Sequence, residues 1–170
     1  MKTKILSIAT ATLLLSGSIF AADSFIALGY TSADVDGTSK SGVSLDMGVK
    51  FGESFKQAIG FEVAFLGEDN EIDEDAGNLG NIYYNLGYEV LEGFSPYASV
   101  GYGFQSIGKY RNSSGSTSSV YSAGISYGAG INYEISDSFD VGASYKVYNL
   151  EYLALDYSVN VANINVAYKF

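Results

Sequence analysis

The chain contains no cysteine, histidine or tryptophan, only one proline, and just 16% charged residues. Without histidine or cysteine it has no His- or Cys-ligated zinc site, thiol redox chemistry, Ser-His-Asp hydrolysis or covalent haem attachment. A calcium or magnesium site built from carboxylates alone stays open. The charge sums to −10, which argues against a chain that grips nucleic acid through its phosphates. Against these gaps stand 20 Gly, 15 Tyr and 10 Phe in 170 residues, a length suited to one domain. With 47% hydrophobic residues, the composition is too apolar for a disordered chain.

Residues 1–21 read as a signal peptide. Lys2 and Lys4 precede a largely apolar run from Ile5 to Phe20, which ends in the small pair Ala21–Ala22. This is the layout of a secretory leader with cleavage after Ala21. A membrane anchor fits less well, because Ser7, Thr10, Thr12, Ser16, Gly17 and Ser18 interrupt the run. The expected mature domain, residues 22–170, has a net charge of −12 once the two lysines are gone. It enters an oxidising compartment and uses no disulfide there.

The remaining chain alternates with period 2. Segments from Phe25 to Thr31, Val43 to Phe51, Ile59 to Phe65, Ile82 to Val90, Ala98 to Phe104, Tyr121 to Tyr133, Phe139 to Val147 and Ala162 to Phe170 place large apolar residues at every second position. Short links fall near Gly52–Lys56, Leu91–Pro96 and Ser136–Ser138. Long ones fall near Asp34–Gly42, Gly67–Asn81, Ser106–Ser119 and Asn149–Asn160, most of them rich in Gly, Ser, Asp and Asn. The expected architecture is an all-β, eight-stranded antiparallel up-and-down barrel, with tight turns at one end and long loops at the other.

The two faces of these strands decide which side is inside. The large face covers 38 positions and carries no charge. The other face holds ten glycines, several Ala, Ser and Asn, and seven charges: Asp46, Glu62, Glu89 and Asp140 against Lys50, Lys146 and Lys169. A water-facing sheet would carry more Lys, Glu and Thr and fewer glycines. Small residues suit a narrow lumen where side chains converge, and buried charges need near-equal numbers of partners. The small polar face is therefore expected inside, with the large face toward lipid, which requires a closed sheet. The seven charges form an expected interior network. Its odd acid is placed at Asp140, beside a short turn where water reaches it. Phe51, Tyr88, Tyr97, Tyr133, Phe139, Tyr168 and Phe170 lie near the short turns, and Phe65, Phe104, Tyr121 and Tyr145 near the long loops, as two aromatic girdles would.

The final strand carries a family signature. Ala162, Ile164, Val166, Tyr168 and the terminal Phe170 alternate as in the β-signal read by the outer-membrane assembly machinery. With the leader and the Ser24–Tyr30 strand, the mature chain resembles the small eight-stranded outer-membrane β-barrels (the OmpA/OmpX-like superfamily). That resemblance implies a transmembrane barrel in the outer membrane of a Gram-negative bacterium, with both termini periplasmic. It also implies contact with outer-membrane lipid and lipopolysaccharide, and with the assembly machinery during biogenesis. The peptidoglycan-binding domain of larger members is not expected here. Lipid A deacylases and palmitoyltransferases of this barrel type rely on a His and a Ser, and this chain has no His, so no enzyme activity and no cofactor are expected. Ser122 and Ser126 read as interior space-fillers.

Two functional readings follow. One is a structural or surface-interaction role, in envelope integrity or adhesion to an extracellular partner, carried by the long loops. The other is a narrow porin-like channel, which the interior charges would tend to plug. The acidic run Glu68, Asp69, Glu71, Asp73, Glu74 and Asp75 is either a solvated loop or a cation-attracting one, and its spacing is not that of an EF-hand. Lys109 and Arg111 are the expected direct phosphate contacts.

Overall fold

The computed structural model describes residues 22–35, 37–53, 55–67, 78–111, 117–152 and 155–170, giving only the backbone for 107–111, 117–120, 152 and 155. The leader, residues 1–21, lies outside the described residues. Eight strands follow in chain order: β1 (Asp23–Val35), β2 (Thr38–Phe51), β3 (Phe55–Leu66), β4 (Leu79–Tyr88), β5 (Phe94–Arg111), β6 (Thr117–Ser136), β7 (Phe139–Tyr152) and β8 (Leu155–Lys169). Each pairs antiparallel with its neighbours, and β1 pairs with β8 from Phe25↔Lys169 to Val35↔Val159. The sheet is a closed barrel with no unpaired edge along this length.

Three connections, β2–β3, β4–β5 and β6–β7, lie at one end together with the start of β1 and Phe170. There Ser24 N–H donates to the Phe170 carbonyl at 3.2 Å and Phe170 N–H to the Ser24 carbonyl at 2.9 Å. Gly52 and Gly93 turn the chain at this end with φ of 91° and 75°, a region that a side chain would strain.

The faces alternate as expected through the middle of the barrel. Leu28 is 68% exposed and Ile164 66% exposed, while Ala27 and Asn163 beside them are buried. One set of outward aromatics lies near the short turns, while Phe65, Tyr121 and Tyr145 face outward toward the long hairpins. Phe55 meets Tyr88 edge-on at 5.3 Å, Phe139 meets Tyr168 at 5.3 Å, and Tyr168 stacks on Phe170 at 6.0 Å. Tyr97 is not part of this girdle. It pairs with inward-facing Gly87 and Gly130, so its ring fills the lumen.

The strands run much further than the apolar alternation does. Three of the expected long loops are mainly strand. β1 and β2 stay paired to Val35↔Thr38, β5 and β6 to Arg111↔Thr117, and β7 and β8 to Tyr152↔Leu155. A tilted crossing of the hydrocarbon needs about ten residues. β4 has 10, whereas β5 has 18 and β6 has 20. In the excess length the two faces exchange character. Ser32, Asp34, Ser39, Ser41, Ser106, Asn149, Asp156, Ser158 and Asn160 occupy the outward positions. Ala33, Ala64, Leu66, Leu79, Tyr148, Leu150, Val159 and Val161 pack together inside, with Val35 and Tyr157 against them. The lumen is thus small and polar only in the apolar-belted part. Apolar side chains inward and polar ones outward is the arrangement favoured for strands that stand in water.

Candidate functional site

The lumen holds three layers, built by inward positions from all eight strands. In the middle layer, Lys146 of β7 forms a buried ion pair with Glu62 of β3. Asp46 of β2 accepts a hydrogen bond from the Tyr83 hydroxyl of β4, 2.8 Å from either carboxylate oxygen. The Lys146 ammonium also lies 4.8 Å from the centre of the Tyr83 ring. Asn163 of β8 donates to Thr31 Oγ1 and Ser44 Oγ at 2.6 Å each, with Glu62 Oε1 3.4 Å away. Six strands are joined across the lumen by these contacts. Two carboxylates share one ammonium here, so the acid without a lysine of its own is Asp46, held by a phenol.

At the short-turn mouth the charges alternate along an arc. Lys50 pairs with Asp140, and Asp140 lies 2.8 Å from Lys169. Lys169 lies 3.5 Å from Glu134, which is 3.7 Å from Lys56, which is 3.0 Å from Glu89. This corrects the expectation for Asp140. It is 2% exposed and sits between two lysines, so it is not the water-facing odd acid. Glu89 also differs from expectation. It follows β4 on the rim, bonded to Lys56 and accepting from the Gly93 N–H at 3.1 Å. Those bonds, the one to Lys56 foremost, hold its carboxyl below the usual carboxylate range. The arc borders a cavity of about 160 Å³ that opens at this end and reaches inward to Asn85, Tyr97 and Asn132.

At the opposite mouth lies the apolar layer, crossed by a polar contact. The Tyr157 hydroxyl of β8 hydrogen-bonds Ser122 Oγ of β6 and donates to Gln105 Oε1 of β5 at 3.0 Å. Ser126 Oγ, deeper on β6, donates to Asn81 Oδ1 at 2.8 Å.

Of the seven sequence-derived charges, the structure places Asp46, Glu62 and Lys146 in the middle layer and Lys50, Asp140 and Lys169 in the mouth arc, with Glu89 at its end. Two members of the arc, Lys56 and Glu134, were not foreseen. Both continue an inward alternation, Lys56 before Ala58 and Gly60, Glu134 after Gly130 and Asn132, one step past where the apolar pattern ends. Glu68, Asp69, Glu71, Asp73, Glu74 and Asp75 lie outside the described residues. Lys109 and Arg111 fall on the extension of β5, where only the backbone is described. Ala162, Ile164, Val166 and Tyr168 all face outward on β8, with Phe170 just past its end.

A family model described as the outer membrane protein beta-barrel domain matches residues 7–170. Among solved structures, the attachment invasion locus protein Ail of Yersinia pestis superposes with a TM-score of 0.61 at 20% identity, covering 88% of this chain and 97% of that one. Neisserial surface protein A gives 0.61 at 15% identity, with coverage of 88% and 97%. The N-terminal β-barrel domain of Pseudomonas aeruginosa OprF gives 0.53 at 17% identity, with coverage of 86% and 97%. At these identities the likeness is one of fold. No curated protein sequence matches this chain.

Proposed function

Because this chain belongs to the outer membrane protein β-barrel domain family, we propose that it is an integral barrel of a Gram-negative outer membrane that serves envelope integrity or surface adhesion rather than transport. In this reading the termini and short turns face the periplasm, and the polar-sheathed hairpins stand above the cell surface. The observation that carries it is the exchange of faces. Strands long enough to leave the bilayer present a polar exterior, while their interior closes into a packed apolar layer. A channel for ions or small solutes would have to cross that layer and the Lys146–Glu62 pair beneath it.

The partners follow from the same orientation. Outer-membrane lipid meets the apolar belt. Lipopolysaccharide phosphates meet Lys109 and Arg111 on the β5 extension, and cations drawn to the Glu68–Asp75 run bridge to the same phosphates. The assembly machinery reads the outward stripe from Ala162 to Phe170, and an extracellular partner meets the hairpins. No catalytic step and no cofactor enter this reading. The test is a planar-bilayer recording on the folded full-length domain. A silent trace under applied voltage is expected. Reproducible unitary steps would overturn the structural reading in favour of the channel.

A further inference from the structure

Tyr157 belongs to the part of β8 that has already left β1, since the β1–β8 ladder stops at Val35↔Val159. On its other side it is in register with Leu150 of β7. Its hydroxyl nevertheless reaches past β7 to two side chains that are themselves cross-strand partners, Gln105 of β5 and Ser122 of β6. Gln105 is the last β5 residue paired with β4, where the ladder ends at Leu79↔Gln105. Ser106 N–H still donates to the Asn78 carbonyl at 3.0 Å; beyond it, among the described residues, Gly108–Arg111 of β5 pairs with Thr117–Val120 of β6 alone, as a two-stranded ribbon. The contact therefore sits at the root of the ribbon and ties it to the outer part of β8, in the β7–β8 hairpin. Directly below are Leu79, Leu150 and Val159, the last 0% exposed.

We propose that Tyr157 is a clasp. Its hydrogen bonds to Gln105 and Ser122 hold the outer part of β8 across the mouth, keep water from the apolar layer, and join the β5–β6 ribbon to the β7–β8 hairpin as one unit. A pull on either hairpin must break both bonds before the layer opens. With the clasp intact the mouth is a lid; with it broken, the apolar layer becomes reachable from the long-hairpin end. This inference rests on the fold and not on the role proposed above.

The chain has no cysteine, so Val159→Cys introduces a single thiol within the layer. Its labelling rate by a charged thiol reagent is read in the folded full-length domain, with each variant first checked for the heat-shifted gel mobility of a closed barrel. Tyr157→Phe keeps the ring and removes only the hydroxyl. It should speed labelling about tenfold, the scale expected when a polar contact of this strength no longer opposes local opening. Gln105→Leu with Ser122→Ala removes the partners instead and should give the same gain. Adding Tyr157→Phe to that pair should then give no further gain. An unchanged rate in Tyr157→Phe would overturn the clasp, as would gains that multiply when the variants are combined. Amide exchange of Gly108–Arg111 in Tyr157→Phe, without the introduced cysteine, gives a second reading. Faster exchange there supports the joining of the hairpins, and unchanged exchange removes it.

Discussion

Gly60, Gly103 and Gly130 each stand beneath a tyrosine ring inside the lumen. A Cβ at Gly60 would lie 2.4 Å from the Tyr83 hydroxyl, at Gly103 2.3 Å from Tyr148 Cδ1, and at Gly130 2.4 Å from the Tyr97 ring. These glycines make room for specific rings, so their abundance and that of tyrosine are linked at these sites. Gly103→Ala should cost about 1–3 kcal/mol by overpacking, seen as a lower urea midpoint in lipid vesicles, with Tyr148→Leu relieving part of it. An unchanged midpoint would contradict the contact. The charged layer obeys a different rule. Lys146→Met leaves the Glu62 carboxylate buried without its ammonium and should cost about 3–5 kcal/mol, whereas adding Glu62→Gln should recover most of that loss. The same urea titrations measure both, and a double variant no better than Lys146→Met would refute the pairing.

At the scale of the strand, the amino-acid pattern and the backbone pairing have different lengths. Period-2 alternation finds the apolar-belted middle of β3 and β4, from Ile59 to Phe65 and from Ile82 to Tyr88, but not the start of either strand. It stops at Phe104 and starts again at Tyr121, although the β5–β6 ladder continues between them. The reason is physical: alternation of large and small residues reports contact with lipid, while hydrogen bonding needs no particular side chain. Past the belt, Ser, Asp and Asn on the outward positions of β1, β2 and β8 resemble loop composition and conceal strand. The same cause hides Lys56 and Glu134, which sit one step outside the apolar alternation. Lys146, Glu62 and Asp46 were legible because they interrupt an otherwise small face at the centre of strong strands. Which acid pairs with which lysine depends on barrel closure and register, which lie beyond the period of any one strand. A consequence for dynamics follows. Amides of β5 from Tyr97 to Gln105, paired on both sides, should exchange slowly, whereas those of the ribbon from Gly108 to Arg111 should exchange at least tenfold faster. Hydrogen exchange read by NMR or mass spectrometry checks this, and uniform protection along β5 would contradict it.

On the scale of the whole molecule, the barrel combines two environments in one sheet. The belted part is apolar outside and polar within, and the projecting part is polar outside and apolar within. Closure satisfies the backbone of the belted part, and hairpin pairing carries the strands beyond it, which explains how the chain does without disulfides and nearly without proline. The acidity then lies mainly away from the belt, since the layers inside it hold near-equal numbers of carboxylates and lysines. Neighbouring residues must therefore meet opposite media at the same depth, and the absence of tryptophan makes this measurable. Phe25 is buried in the lumen and Ile26 beside it is 42% exposed on the outer face. Single variants Phe25→Trp and Ile26→Trp, folded into vesicles of brominated phospholipid, report lipid contact through fluorescence quenching. Strong quenching of Ile26→Trp with little quenching of Phe25→Trp is the expected result; equal quenching of the two, or the reverse order, would contradict a lipid-facing large face.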